Sequence, residues 1–112
     1  MEHNHDKEVL GLVERIKELR TKILIHSYLY WYKDNPMVSD TLFDNWKINL
    51  VHLQKQFSED EKFKLIKIDF FDSAFTNWDG KNSKALPLFD DWVVSRVDML
   101  DKYKNATPYF NI

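Results

Sequence analysis

The sequence contains no cysteine, and it has only two glycines and three prolines among its 112 residues. Without cysteine the chain can form neither disulfides nor thiolate metal sites, which fits a reducing compartment, and we expect a cytoplasmic protein. So few helix-breaking residues favour long helices over a fold of many short strands and tight turns. At this length we expect one domain, because a second hydrophobic core would need more chain.

The sequence also lacks a cluster of Lys or Arg and a long apolar run. Its formal net charge is −2, whereas proteins that bind nucleic acid directly usually present a basic face, so direct nucleic-acid binding is not expected. No apolar stretch of about 18 residues and no signal-peptide pattern occurs, so no membrane segment is expected. His3 and His5 alone are too few to hold a metal ion, and we predict no metal site.

What the sequence has in abundance is aromatic residues, 15% of the chain, many of them at helical spacing. Apolar residues at three- and four-residue steps predict a first helix over about 6–33 with Asp6 as its N-cap, and a second over about 40–57 capped by Ser39 or Asp40. The apolar stripe of the second helix consists of Phe43, Trp46, Leu50, Leu53 and Phe57. A short Asp-Asn-Pro turn joins the two, which predicts an antiparallel helical hairpin.

The C-terminal part, 58–112, is predicted to pack on this hairpin, so that residues 1–112 form one mainly α domain. Ser58–Glu61 has the spacing of a capping box, which predicts the start of a third helix. The following segment, FKLIKIDFF, fits neither the helical nor the strand period, and a short strand there remains an alternative. Asp90 is predicted to cap a last helix that ends near Asn105.

One stretch, ELRTKILIHSYLYWYKDNPMVSDTLFD (residues 18–44), carries a long pattern of fixed spacing. It resembles the N-terminal, NMN-binding helical subdomain (Ia) of bacterial NAD-dependent DNA ligases, whose pattern is close to LR-x(5)-H-x-Y-x-Y-x(3)-D-x-P-x(3)-D-x-x-Y-D. The matching positions are Leu19, Arg20, His26, Tyr28, Tyr30, Asp34, Pro36, Asp40 and Asp44. The resemblance implies the hairpin fold and covers about a quarter of the chain.

In that family the subdomain holds the nicotinamide mononucleotide (NMN) half of NAD, so the resemblance implies NMN or NAD as a ligand. Carried over by position, the contacts are Tyr30, Trp31, Asp40, Phe43 and Asp44. Trp31 stands where the ligases typically have His or Tyr, and Phe43 replaces a Tyr and lacks its hydroxyl. An aromatic face attracts a flat cation such as oxidised nicotinamide. Carboxylates four residues apart lie on one helix face, where they can accept hydrogen bonds from ribose hydroxyls.

Each of these side chains also has a purely structural interpretation. Asp40 can serve as an N-cap, and Asp44 lies near a helix start, where a negative charge is favourable. Tyr30 and Phe43 fit the apolar stripes of the two helices, and His26 fits a buried imidazole. The structural interpretation predicts that the rings are buried in the core.

Catalysis by this chain is not expected. The ligases are adenylated on the lysine of a Lys-x-Asp-Gly motif, and the nearest match here is Asn77–Gly80, with Asn at the nucleophile position. Asparagine cannot form the phosphoramidate, and 112 residues are too few for the nucleotidyltransferase domain. No covalently bound cofactor is expected either.

Two functions fit these observations. The first is a non-catalytic module that recognises NMN or NAD, alone or in trans to a larger enzyme. The second is a protein-interaction or inhibitor module that has lost ligand binding, such as a phage or mobile-element accessory protein. Its protein partner would be a ligase, another NAD-using enzyme or a defence enzyme. Trp31, Phe43 and the C-terminal TPYFNI segment would supply its apolar contacts.

Overall fold

The computed structural model describes residues 2–61 and 67–104, with side chains over 7–61 and 67–102. The helices are α1 (Glu2–Tyr32), α2 (Asp40–Glu59), α3 (Asp72–Phe75) and α4 (Asp91–Lys104), with one turn of 3-10 helix at Ser83–Ala85. Within these described ranges no residue forms a strand, so the expected mainly α fold is confirmed. No helix in the same ranges is both long enough and apolar enough to cross a membrane.

Helices α1 and α2 pack against each other as the predicted hairpin. The helix α1 buries Val13, Ile16, Leu19 and Ile23, which recur at three- and four-residue steps, and also Leu24, Ile25 and Leu29. From α2, the residues Trp46, Leu50 and Phe57 are buried against them. Full burial of one such side chain stabilises the fold by about 1.5–3 kcal/mol, so this shared face is the main source of hairpin stability.

The turn between the two helices is closed by backbone and side-chain hydrogen bonds. Asp34 takes a left-handed conformation (φ 48°), and the amide of Asn35 donates to the carbonyl of Leu29 (3.0 Å). Ser39 then caps α2, because its Oγ accepts a hydrogen bond from the amide of Leu42 (3.1 Å). Of the two candidate caps, the structure selects Ser39, and Asp40 is free of that role.

Two predicted helix starts are wrong. Helix α1 begins at Glu2, so Asp6 lies inside it and is not its N-cap. The residues before Asp6 include no Gly or Pro, and nothing in them interrupts the helix. Ser58 does not start a third helix, because α2 continues through Glu59. The hydroxyl of Ser58 donates to the carbonyl of Lys55 (3.0 Å), whereas an N-cap oxygen accepts a hydrogen bond from an amide.

The segment that follows α2 contains the possible strand of the sequence prediction. Residues 62–66 lie outside the described part of the chain, so that prediction is settled only for the end of the segment. There, Ile68 is buried without joining a strand, and Phe70 and Phe71 are half-buried. The rings of Phe70 and Phe71 meet edge to face at 4.9 Å, so aromatic packing, rather than strand pairing, fixes this part of the chain.

A buried guanidinium ties this segment and α3 to the hairpin. Arg20 is 2% exposed; its Nε donates to Gln54 Oε1 (2.8 Å), and its Nη1 donates to the carbonyl of Phe70 (2.7 Å) and to Asp72 Oδ1 (2.5 Å). Gln54 in turn donates to the carbonyl of Phe75 (2.8 Å). Partial burial raises the pKa of the Asp72 carboxyl, but the hydrogen bond and charge of Arg20, together with backbone hydrogen bonds from Asp69 and Phe70, outweigh it, so the net pKa is lowered.

Helix α4 completes the core. Asp90 precedes it, and its carboxylate accepts a hydrogen bond from the amide of Trp92 (2.9 Å), the contact expected of the predicted N-cap. Val93, Val97 and Leu100 are buried, and α4 packs on α1. The helix is described as far as Lys104, so its predicted end near Asn105 and the TPYFNI segment lie outside the described residues.

Candidate functional site

The end of α1 and the start of α2 line a groove with a volume of about 250 Å³. Its lining includes all five side chains expected from the ligase resemblance, which are Tyr30, Trp31, Asp40, Phe43 and Asp44. The first two come from the last turns of α1 and the other three from the first turns of α2. The hairpin bend therefore brings the predicted residues to one opening.

Three further residues line the groove, and sequence reasoning missed them: Lys47, Lys81 and Ser83. Lys47 lies one helical turn after Phe43, so helical spacing could have placed it on the same face. Lys81 and Ser83 come from the loop before and within the 3-10 turn, far along the chain from the hairpin. No local sequence signal connects that loop to the groove, because only tertiary packing brings it there.

The aromatic rings of the groove are not simply core residues. Tyr30 and Trp31 are 46% and 43% exposed, and their rings meet edge to face with centroids 4.9 Å apart. Phe43 is half-buried and packs with its ring edge toward Trp46 (6.5 Å). The core interpretation is therefore wrong for Tyr30 and holds only in part for Phe43.

Two of these rings already attract positively charged groups. The Lys47 ammonium lies 4.9 Å from the centroid of the Phe43 ring, and the Lys84 ammonium lies 5.3 Å from the centroid of the Trp31 ring. Each such contact is worth about 0.5–1 kcal/mol at an exposed site. Both rings can thus accept a cation on one face.

Both carboxylates of the groove remain accessible. Asp44 pairs with Lys47 (Oδ1 to Nζ, 3.0 Å), and its side chain is 61% exposed. Because the Asp44 carboxylate is open to water, this pair is worth about 0–1 kcal/mol, so a ligand can replace it at low cost. Asp40 is exposed, and no cation in the described part of the chain pairs with it. The helix-capping and helix-dipole roles expected for Asp40 and Asp44 therefore leave their carboxylate oxygens able to accept hydrogen bonds from a ligand.

Trp31 connects the hairpin to the far wall of the groove. Its indole Nε1 donates to the hydroxyl of Ser83 (3.1 Å), and Ser83 is buried. A histidine or tyrosine, the usual residues at this position of the ligase pattern, would present a different donor geometry to that hydroxyl. The departure from the family pattern at Trp31 thus coincides with a contact to the C-terminal part of the chain.

Behind the groove lies a small cavity of about 10 Å³, room for about one water molecule. It shares Tyr30, Asp40 and Phe43 with the groove, and His26 forms part of its wall. His26 is 5% exposed, and neither ring nitrogen has a hydrogen-bond partner among the described residues. Burial, with a smaller effect of the nearby Lys22 charge, lowers the pKa of His26 to about 4, so the imidazole is neutral at pH 7.

Metal binding has no support in the described side chains. Over 7–61 and 67–102, no group of three or more His, Asp or Glu side chains could hold a metal ion. The side chains of His3 and His5 lie outside those ranges. The groove therefore offers rings, carboxylates and ammonium groups as its chemistry.

Fold and groove together define a helical-hairpin domain with an aromatic and acidic opening at its bend. Residues 11–62 match the family described as the DNA ligase-like, N-terminal NAD+-binding domain. The resemblance to the ligase subdomain is thereby confirmed for this segment, which contains Tyr30, Trp31, Asp40, Phe43 and Asp44. Lys81 and Ser83 lie beyond it.

Individual relatives agree with the family match. The chain is 44% identical over 46 residues to a DNA ligase of Thermoanaerobacter sp. (strain X514), which is 41% of this chain and 7% of the ligase. It is 42% identical over 50 residues to a DNA ligase of Acholeplasma laidlawii (strain PG-8A), which is 45% of this chain and 8% of the ligase. The match thus spans less than a tenth of either relative. No solved structure matches the chain at the same level of significance.

Proposed function

We propose that this chain is a non-catalytic module that recognises nicotinamide mononucleotide, either free or as half of NAD. One observation carries the proposal. The five side chains carried over from the ligase pattern line a single groove, and they lie in the segment that matches an NAD+-binding domain.

The size of the groove favours a mononucleotide over a whole dinucleotide. Pockets that enclose drug-sized ligands have volumes of about 300–1,000 Å³, and this groove, at about 250 Å³, is slightly smaller. It is also open to solvent along the hairpin bend, where Tyr30 and Trp31 are exposed. The adenosine half of NAD would therefore extend outside it.

The chemistry of the groove suggests a role for each side chain. The exposed face of Trp31 would stack on the nicotinamide ring, with Tyr30 and Phe43 beside it, because aromatic faces attract a flat cation. Asp40 and Asp44 would accept hydrogen bonds from the ribose hydroxyls. Hydrogen bonds to charged groups are worth about 1.5–3 kcal/mol each, so the two carboxylates would supply most of the affinity.

The proposed module does not itself carry out adenylation. The loop that bears the partial ligase motif places Asn77, not a lysine, at the nucleophile position. That loop is a turn on the surface of α2. The bound nucleotide would accordingly be presented to a partner enzyme in trans.

Calorimetric titration with NMN and with NAD tests this proposal. We expect saturable binding of both by the wild-type chain, and at least a tenfold loss of affinity in the double variant Asp40→Asn/Asp44→Asn. The matched control is Asp91→Asn/Asp98→Asn, which removes two exposed carboxylates from α4, away from the groove. Affinity should be unchanged in the control.

Three outcomes would contradict the proposal. If wild-type protein gives no binding heat at millimolar NMN or NAD, the groove is not a nucleotide site. If the chain binds NMN and Asp40→Asn/Asp44→Asn binds it equally well, the ligand lies elsewhere. An equal loss of ligand affinity in both double variants would show that net charge, rather than the groove, determines binding.

A second function, protein interaction, is favoured by a different surface. Phe89 and Met99 are 62% and 51% exposed, and the Phe89 ring packs on Tyr32 (4.6 Å) and Tyr28 (5.7 Å) along α1. Exposed aromatic side chains of this kind are common at protein interfaces. If the wild-type chain binds a purified bacterial NAD-dependent ligase and Phe89→Ser does not, an accessory or inhibitor role, as in a phage-encoded accessory protein, would be supported. Unaltered binding in Phe89→Ser would exclude this surface.

A further inference from the structure

The far wall of the groove is a loop, residues 76–82, that packs tightly on α2. Gly80 takes φ +79°, and a Cβ atom there would lie 2.8 Å from Val51 Cγ2 and 3.6 Å from the carbonyl oxygen of Lys47. Only glycine adopts this conformation readily and leaves room for such a close approach. The absence of a side chain at Gly80 therefore brings the next residue, Lys81, to the edge of the groove.

Hydrogen bonds hold the loop in this position. The carboxylate of Asp79 accepts from the amide of Lys81 (2.9 Å), and the indole of Trp78 donates to the carbonyl of Asn82 (3.2 Å). One residue further on, Ser83 accepts the hydrogen bond from Trp31 described above. The backbone at Lys81 is thus fixed on both sides, while its side chain is exposed and lines the groove.

Among the described residues, Lys81 is the groove cation that has no carboxylate partner. The ammonium group of Lys47 is engaged by Asp44 at 3.0 Å and by the Phe43 ring. In contrast, no carboxylate in the described part of the chain pairs with the Lys81 ammonium. The hairpin supplies rings, carboxylates and the paired Lys47 to the groove, and the loop supplies Lys81, whose positive charge has no carboxylate partner among the described residues.

We infer that Lys81 binds the 5′-phosphate of the nucleotide and makes the site selective for NMN over the unphosphorylated nucleoside, nicotinamide riboside. The inference rests on the proposed function, and it assigns the one part of NMN for which the rings and carboxylates provide no partner. A phosphate monoester carries a charge of about −1.5 to −2 at pH 7, which carboxylates repel and an ammonium group attracts. Lysine is a common phosphate ligand in proteins.

This residue lies outside residues 11–62, the part that matches the ligase family. The C-terminal part of the chain would thus complete a site whose other half is ligase-like. The loop adds to the groove a positive charge, that of Lys81, at a position where the hairpin provides none. Lys81 is a specificity residue in this inference, and it takes no part in a reaction.

The test compares two ligands on matched variants by calorimetry. We expect the wild-type chain to bind NMN about tenfold more tightly than nicotinamide riboside, and Lys81→Gln to lose this preference by weakening NMN alone. Lys81→Arg, which keeps the charge, should retain most of it. Lys55→Gln is the control, because Lys55 is exposed on α2 and does not line the groove.

The outcomes separate this inference from the proposed function. If the wild-type chain binds both ligands equally, or if Lys81→Gln lowers the affinity for both by the same factor, Lys81 does not bind the phosphate. The proposed nicotinamide site would still hold in that case. An equal loss of NMN affinity in Lys55→Gln would show that net charge alone matters. If neither ligand binds the wild-type chain, both the inference and the proposed function fail.

Discussion

The partly buried ion pair between Arg20 and Asp72 is expected to make a large contribution to stability. Asp72→Asn keeps the shape of the side chain but leaves the Arg20 guanidinium, 2% exposed, without its counter-charge. Breaking a buried ion pair from one side typically costs about 3–5 kcal/mol. The Asp72 side chain is 35% exposed, so water offsets part of that loss, and we expect a cost of about 2 kcal/mol.

Urea unfolding followed by circular dichroism at pH 7 measures this cost. A loss of about 2 kcal/mol corresponds to a fall in Tm of roughly 10 °C for a domain of this size. The matched control is Asp101→Asn, which removes a carboxylate from the pair with Lys33 (3.2 Å), whose side chains are 39% and 38% exposed. That pair lies at the surface, where water and salt screen it, so its loss should cost much less than Asp72→Asn.

A double-mutant cycle gives the decisive number. In Arg20→Met the buried charge is gone, so adding Asp72→Asn to it should cost much less than Asp72→Asn alone, with a coupling energy of about 1–2 kcal/mol. If Asp72→Asn costs no more than Asp101→Asn, or if the coupling is zero, Arg20 does not hold α3 and the preceding segment onto the hairpin.

Two further predictions concern His26 and the glycines. The pKa of His26 is about 4 in the folded protein and 6.5 for the free side chain, so the unfolded state binds the proton first as the pH falls. The free energy of unfolding therefore has its full value above pH 6.5. It declines by up to about 3 kcal/mol toward pH 4. Urea unfolding between pH 7 and 4.5 should show this decline in the wild type and in His52→Gln, an exposed control, but not in His26→Gln; an equal slope in all three would contradict it. Gly80→Ala should destabilise the fold by roughly 1–3 kcal/mol, because Gly80 has a φ of +79° and the added Cβ would contact Val51. Gly11→Ala should instead stabilise it by about 0.5–1 kcal/mol, because Gly11 lies within α1 and no atom is close to the added Cβ. Changes of the same sign in urea unfolding would show that the loop at Gly80 is not tightly packed.

The hairpin and its side of the groove could be predicted from the sequence because their signals are local. Apolar spacing gave the packed faces of α1 and α2, and the pattern over residues 18–44 placed five side chains on either side of one turn. Residues separated by a short turn have few ways to meet, so the linear order nearly determines the geometry. The wall formed by Lys81 and Ser83 depends on the docking of a distant loop, which no local pattern encodes.

The wrong helix starts have a related cause. A capping residue such as Asp6 or Ser58 favours a helix start only where the preceding residues leave the helix. Most residues before Ser58 are good helix formers, and no Gly or Pro precedes Asp6, so each helix continues through the expected boundary. The sequence does not predict the structural role of Arg20 either. It belongs to the ligase pattern, but in this chain it lies in the core, where its partners are Gln54, Phe70 and Asp72.

The glycine-dependent seating of the loop on α2 has a consequence for how such a domain can diversify. One wall of the groove lies on α1 and α2, whose buried faces form the hydrophobic core, so substitutions that disturb these helices carry a cost in folding. On the opposite wall, Lys81 is an exposed side chain on a backbone held by Gly80, Asp79 and the Trp31–Ser83 contact. Positions such as Lys81 can therefore be exchanged freely, and ligand preference can change over generations while the scaffold stays the same.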